Sequence, residues 1–171
     1  MTAARQERKS YRRCWVFARV LWAVALAAGV GFALPVVRRA AADVVVVNRY
    51  TGLAIDGVDP VSYFVDGIPK VGRAALELQS GGAIWRFRNE GNRAAFAAAP
   101  GVYRPRFGGH DPMAVARGVA TPGHPALWLI VGNRLYLFYN ARSRKAFAKD
   151  PAAAIEAANR HWPEVSRTLL R

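Results

Sequence analysis

Side chains that could do chemistry come together at one point of the chain, in the run Gly-Gly-His-Asp-Pro at residues 108–112. His110 and Asp111 offer an imidazole nitrogen and a carboxylate, which are ligands suited to zinc and other borderline metal ions. His124 is a third candidate ligand. No two histidines of the chain have the i, i+4 spacing that is typical of a metal-binding pair.

The same run also has a purely structural interpretation. Aspartate followed by proline is typical of a helix start, so Asp111 can cap a helix over residues 112–117 instead of contacting a ligand. A catalytic use of His110 and Asp111 is a third interpretation, and it requires the two side chains to converge in a concave site. Gly108 and Gly109 are then the candidate rim of the pocket, because glycine lets a backbone approach a ligand closely.

The sequence lacks other signatures of catalysis. Its serines stand outside a nucleophile elbow, and no phosphate-binding loop follows Gly108-Gly109. Cys14 is the single cysteine and precedes the apolar N-terminal stretch, so the rest of the chain can form neither a disulfide nor a thiolate metal site. We therefore predict no catalytic residue. The cofactor stays unknown, with a transition metal as a candidate that no cysteine of the domain supports.

An internal repeat supplies the elements that must position these residues. Residues 75–100 realign without a gap on residues 126–151, and 11 of the 26 positions are identical. Each copy predicts a β-hairpin followed by a helix. The predicted strands are 76–79, 83–88, 127–131 and 135–139. The predicted helix caps are Asn89 and Asn140, and the predicted core phenylalanines are Phe96 and Phe147.

Differences between the copies lead to two further expectations. Arg86 and Arg88 of the first hairpin become Leu137 and Tyr139, which predicts that the second hairpin is covered on both faces. The segment between the two copies, residues 101–121, has no partner in this alignment, so we expect any functional site there.

Prolines follow each predicted helix of the repeat. We expect Pro100 to end its helix and Pro151 to open another helix over residues 151–161. The predicted fold class is α+β: a small single domain of two β-hairpin–helix units, preceded by a transmembrane helix or signal sequence.

The N-terminus predicts export. Five basic residues precede an apolar stretch that reaches Val37, and residues 20–37 carry no charge. This length suits a membrane-spanning helix, and the excess of basic residues before it places the N-terminus in the cytoplasm. The alternative is a signal peptide cleaved near Ala42, after a run of small residues. Under either interpretation the folded domain is exported, to the outer face of the inner membrane or free in the periplasm.

The charge of the chain bears on its partners. The formal net charge is +14, of which residues 44–171 contribute +8, from 17 basic and nine acidic residues. The basic residues are scattered arginines and not a stripe interleaved with exposed aromatic residues. This distribution favours a solvated basic surface over a nucleic-acid partner.

The segment from residue 52 to residue 64, Gly-Leu-Ala-Ile-Asp-Gly-Val-Asp-Pro-Val-Ser-Tyr-Phe, resembles the opening signature of the YHS-domain family in its exported alphaproteobacterial form. The resemblance continues through residues 83–87, 107–109 and 135–140 and ends at Trp162-Pro163. It implies a small α+β module that is often suspected of binding transition metals and has no established catalytic chemistry. Many members of the family read Gly-Gly-Tyr-Cys-Ala where this chain has Gly108-Gly109-His110-Asp111-Pro112.

The predicted function is a membrane-anchored, periplasm-facing binding module without catalytic activity, which recognises a transition metal or a protein partner. The alternative is an enzyme or enzyme accessory subunit that uses a pocket around His110 and Asp111. The predicted segments are a basic cytoplasmic N-terminus (1–14), an anchor or signal core (15–37), a linker (38–51), the YHS-like domain (52–163) and a C-terminal tail (164–171).

Overall fold

The computed structural model describes residues 44–170. The predicted anchor at residues 15–37 and the cleavage position near Ala42 lie outside the described residues. Within residues 44–170, no helix has both the length and the apolar character needed to cross a membrane.

The described chain is an α+β structure with two separate two-stranded antiparallel sheets. The elements are α1 (Ser62–Val65), β1 (Arg73–Ser80), β2 (Ala83–Phe87), α2 (Glu90–Ala98), α3 (Pro100–Tyr103), α4 (Pro112–Val115), β3 (His124–Val131), β4 (Arg134–Phe138), α5 (Ala141–Lys149) and α6 (Pro151–Leu169). Two short 3₁₀ turns, Ile55–Gly57 and Arg106–Gly109, stand before α1 and α4.

The two hairpin–helix units predicted from the repeat are confirmed. Strand β1 pairs with β2, and β3 pairs with β4. Gly81 and Gly132 sit at the hairpin turns with φ of 62° and 57°, a left-handed conformation that costs glycine little. Both predicted caps are also confirmed. Asn89 Oδ1 accepts a hydrogen bond from the backbone N–H of residue 92 and Asn140 Oδ1 from that of residue 143, each at 2.8 Å.

Equivalent phenylalanines fill the core of each unit. Phe96 is fully buried, with its ring centroid 5.0 Å from that of Trp85 and 5.2 Å from that of Phe87. Phe147 is also fully buried, and both the Tyr136 and Phe138 ring centroids lie 5.1 Å from its own. Each helix therefore packs on its hairpin through one ring held between two others.

A tyrosine joins the two units. The Tyr63 hydroxyl donates a hydrogen bond to the Pro125 carbonyl at 2.9 Å, and the Tyr63 ring lies edge-on to Trp128 at 5.4 Å between centroids. Burial raises the pKa of Tyr63 above its ordinary value, so the hydroxyl stays protonated as a donor.

One local prediction was wrong. Leu137 is buried as expected, but Tyr139 is 61% exposed, so the second hairpin is covered on both faces only in its middle. The prediction for Pro100 is confirmed, since α2 ends at Ala98 just before it; Pro100 also occupies the first turn of α3, just as Pro151 occupies the first turn of α6. In both places the preceding residue is non-helical, with φ/ψ of −141°/59° at Ala99 and −150°/81° at Asp150. Proline fits a first helical turn because its missing N–H has no intrahelical role there.

Both ends of the domain extend beyond the limits predicted from the resemblance. The N–H of Val46 donates to the Gly108 carbonyl at 2.7 Å, and Val47 bridges to Ala54, so part of the predicted linker is structured. Helix α6 continues past residue 163 to Leu169, with Val165 buried at 3% exposure.

Candidate functional site

The Asp111 side chain accepts hydrogen bonds from two backbone N–H groups. Its Oδ1 accepts the Met113 N–H at 2.8 Å and so caps α4, as one of the sequence interpretations predicts. Its Oδ2 accepts the Tyr139 N–H at 3.0 Å, which ties the start of α4 to the end of β4. The residue is 3% exposed. Both carboxylate oxygens therefore have a structural partner.

Asp59 makes the same arrangement in the first unit. Its Oδ1 accepts the Val61 N–H at 2.9 Å, and its Oδ2 accepts the Arg88 N–H at 2.9 Å. The Asn92 side-chain amide adds a third hydrogen bond to Oδ2, at 2.6 Å. Asp59 is fully buried. The two aspartates occupy equivalent places, each joining an Asp-Pro turn to the end of its own hairpin.

The segment before β3 thus has a counterpart, and the expectation that it stands outside the repeat was wrong. Gly57 and Gly109 both have positive φ, 76° and 88°. The Gly57 carbonyl accepts the Gly72 N–H at 2.8 Å, and the Gly109 carbonyl accepts the Gly123 N–H at 2.9 Å. The repeat therefore begins at the 3₁₀ turns. The sequence signal is Gly-x-Asp-Pro, which occurs at 57–60 and again at 109–112. Equivalent residues are 52 positions apart at Gly57 and Gly109 but 51 positions apart at Gly72 and Gly123, because the second copy is one residue shorter between these points. An alignment without gaps therefore does not reach the first part of the repeat.

His110 occupies the place that Val58 has in the first unit. It is 5% exposed, its Nδ1 donates to the Phe107 carbonyl at 2.9 Å, and its ring centroid lies 5.8 Å from that of Trp162. Burial lowers the pKa of His110, against a smaller raising effect of the hydrogen bond to Phe107. The imidazole is therefore held neutral, as a core side chain.

Unlike His110 and Asp111, which are buried, His124 is exposed to solvent. It is exposed at the start of β3, and its Nδ1 accepts the Ala126 N–H at 3.1 Å. Among residues 44–170, no group of three His, Cys, Asp or Glu side chains is placed to hold a metal ion. The structure thus does not assemble His110, Asp111 and His124 into a three-ligand centre.

Gly108 and Gly109 have different surroundings. Gly108 has φ of 60°, and a Cβ on it would collide with the Val44 carbonyl, so only glycine fits beneath this N-terminal segment. Gly108 lines a cleft, whereas Gly109 is buried against Pro105 and Leu137.

The cleft has a volume of about 280 Å³. Its walls come from the N-terminal segment, from β2, from the stretch between α3 and α4, and from helix α6. The lining residues are Val44, Val45, Trp85, Gly101, Arg104, Pro105, Arg106, Phe107, Gly108, Trp162 and Ser166.

Arginines and aromatic rings dominate the chemistry of this cleft. Arg104 donates through Nη2 to Ser80 Oγ at 2.6 Å and lies 5.9 Å from the Phe96 ring centroid. Arg106 donates to Asn159 Oδ1 at 3.3 Å and lies 5.5 Å from the Phe107 ring centroid. The described residues that line the cleft include no Asp, Glu, His or Cys. They can bind an anionic or apolar group, but they offer no acid–base pair.

Comparison of the chain with models of protein families finds no match. Comparisons with curated proteins and with solved structures find no match either.

Of the residues that line the cleft, the sequence analysis singled out Gly108 as a candidate rim and missed Arg104 and Arg106. Arg104 and Arg106 were two of many scattered arginines, and Trp162 belonged to the end of the YHS resemblance. The signal that could have found them is the alternation Arg104-Pro105-Arg106-Phe107 directly before the two glycines. Only the folding of α6 against this stretch brings Trp162 to it, with its ring centroid 5.6 Å from that of Phe107.

Proposed function

We propose that the chain is a membrane-anchored, periplasm-facing, YHS-like binding module without catalytic activity, and that it recognises its ligand in the cleft lined by Arg104, Arg106, Phe107 and Trp162. The proposed membrane location is supported by the apolar stretch before Val37 and the excess of basic residues that precedes it. The proposed family is supported by the motifs from residue 52 to residue 163. The ligand of this module is a small molecule or an exposed group of a protein partner.

One observation carries the proposal: the cleft combines rings and cationic donors, and the described residues that line it include no Asp, Glu, His or Cys. Binding sites are typically concave, largely apolar and equipped with a few polar groups that orient the ligand. Catalysis by proton transfer would need a side chain of suitable pKa within hydrogen-bonding distance of the ligand. Asp111 accepts from two backbone amides and His110 donates to a backbone carbonyl, so neither is oriented by the other. This arrangement favours binding over catalysis.

The cleft proposal is tested by NMR on the full chain in phosphatidylcholine nanodiscs. A fragment library is added while the tryptophan indole N–H signals are followed, after assignment by single Trp→Phe variants. We expect bound fragments to shift the signal of Trp162, which lines the cleft, and to leave that of Trp128, which packs on Tyr63, unchanged. A library that produces no shift at Trp162, or equal shifts at both residues, contradicts the cleft as the binding site.

The membrane location is tested separately by immunoblotting of cell fractions. An uncleaved anchor leaves the full-length protein in the membrane fraction after alkaline extraction. A mature form beginning near residue 43 in the soluble periplasmic fraction contradicts the anchor and leaves export intact.

A further inference from the structure

We infer that the cleft takes an organic carboxylate with an apolar body, such as a short aryl-alkanoate or the C-terminal residue of a peptide. This inference rests on the proposed function, since it specifies the ligand of the same cleft.

The charge of Arg106 selects an anion. The polar partner of its guanidinium is the neutral amide oxygen of Asn159, and among residues 44–170 no carboxylate forms a salt bridge with it. Its exposure is intermediate. A guanidinium that retains its charge in a partly desolvated site attracts oxyanions, which it binds through two parallel N–H donors. Arg106 is therefore the proposed anchor of the ligand.

The position of Arg106 is fixed before a ligand arrives. The guanidinium is held between the Phe107 ring, at 5.5 Å, and Asn159 on α6, at 3.3 Å. Less conformational entropy is lost on binding when the side chain is already ordered. Arg104 lies on the same wall, where Ser80 Oγ and the Phe96 ring hold its guanidinium in place.

The aromatic and aliphatic walls select the rest of the ligand. Phe107 and Trp162 meet edge to face, and Val44, Val45 and Pro105 complete the apolar lining. A volume of about 280 Å³ lies just below the usual range for ligand sites, which suits one small ring or one side chain. Among residues 44–170 no carboxylate forms a salt bridge with Arg106, so its one guanidinium can balance a carboxylate monoanion, whereas a phosphate dianion would bring a second negative charge against these rings.

The experiment compares ligands that share one apolar group and differ in the polar one. The full chain in phosphatidylcholine nanodiscs is titrated with 3-phenylpropanoate, its amide, its amine analogue and phenyl phosphate, and binding is followed by saturation-transfer NMR. A second arm uses a tripeptide ending in phenylalanine, with a free or an amidated C-terminus. We expect the carboxylates to bind and the amide, the amine and the amidated peptide to bind at least about tenfold more weakly, the loss expected for one charge-assisted hydrogen-bond pair.

Matched variants locate the effect. Arg106→Gln should weaken carboxylate binding by about tenfold or more, Arg106→Lys should retain part of it, and Arg142→Gln, on the exposed face of α5, should leave it unchanged. Unchanged circular dichroism verifies that each variant is folded. Tighter binding of 3-phenylpropanoate than of the tripeptide with a free C-terminus identifies a small carboxylic acid as the source of the carboxylate. The reverse order identifies a peptide C-terminus.

The outcomes separate this inference from the proposed function. Equal binding of the acid and its amide, with the Trp162 signal shifting in both cases, overturns the carboxylate specificity and leaves the cleft as a binding site. Preference for phenyl phosphate overturns the specificity in the same way. Binding that survives Arg106→Gln overturns the role of Arg106. If no member of the panel binds while other fragments shift Trp162, the ligand class is wrong and the proposed function stands; if nothing shifts Trp162, both fail.

Discussion

The two halves of the domain share a scaffold and differ in what is built on it. In the first half, residues 52–54 run beside β2, and Ala54 donates to the Ile84 carbonyl at 2.9 Å. In the second half, the residues in the corresponding place are 104–106, and they line the cleft. The helix that follows the hairpin unit is four residues long in the first half and 19 in the second. Repeated positions thus stabilise the fold, and the cleft arises where the halves diverge.

The comparison is tested most strongly by truncating the two equivalent core rings. Phe96→Ala and Phe147→Ala each remove a fully buried side chain that contacts two other rings, so each should lower the free energy of unfolding by about 3–5 kcal/mol. Urea denaturation of the full chain in detergent micelles, followed by near-UV circular dichroism, measures both. Phe64→Ala, which truncates a partly buried phenylalanine, is the control, with a smaller loss. A loss confined to one half would contradict structural equivalence.

The aspartates should reveal a graded difference between the halves. Asp59→Ala leaves three buried or half-buried donors without an acceptor, and Asp111→Ala leaves two. We expect losses of roughly 3–4 kcal/mol for Asp59 and roughly 2–3 kcal/mol for Asp111 in the same denaturation experiment. Asp66→Ala, at a partly exposed ion pair with Lys70, is the control and should change little. An Asp111 variant as stable as the wild type would reopen a ligand-binding role for this carboxylate.

The helix caps offer a smaller and symmetrical test. Asn89→Ala and Asn140→Ala each remove one acceptor at an exposed helix N-terminus, which should cost about 1 kcal/mol apiece. Because the two sites are far apart in sequence and share no partner, the losses should add in the double variant. Asn→Asp at either position preserves the acceptor and should preserve stability. Strong non-additivity would show that the halves are coupled through their helices.

The smallest expected effect concerns pH and distinguishes His110 from its counterpart Val58. The folded-state pKa of His110 lies below its ordinary value of 6.5, so the unfolded chain binds the proton more tightly than the folded one. The contribution of neutral His110 to the free energy of unfolding is fully present above pH 6.5. It is lost as the pH falls through the lower, folded-state pKa. Stability measured at successive pH values should decline less below pH 6.5 in His110→Val than in the wild type. Parallel curves for the two proteins would contradict the burial argument.

Local features of the fold were predictable from the sequence because they depend on neighbouring residues. A hairpin turn needs a residue that tolerates positive φ, and a helix start needs a side-chain acceptor, so Gly132 and Asn140 could be assigned from type and spacing alone. The same reasoning gave Asp111 as the cap of α4. The exposure of Tyr139 could not be predicted, because a period-2 pattern gives the face of a strand but not what covers that face.

The candidate site was harder to predict because its contacts join distant parts of the chain. The hydrogen bond from Tyr139 to Asp111 spans 28 residues, and that from Arg106 to Asn159 spans 53. No spacing rule connects such positions. Their residue types made His110 and Asp111 candidate ligands, but in the folded chain both side chains form hydrogen bonds with the backbone. Arg106 belongs to no motif, and it meets Asn159 only because α6 packs against the turn at Phe107.

The hydrogen bond from Val46 to Gly108 has a practical consequence for anyone preparing a soluble fragment. A fragment cut at residue 52, where the family motif begins, would lack Val44 and Val45 and thus one wall of the cleft. It would also expose the Gly108 carbonyl to water. Such a fragment keeps both hairpin units, yet a negative binding result obtained with it would reflect the missing wall. Fragments for ligand assays should therefore start upstream of Val44.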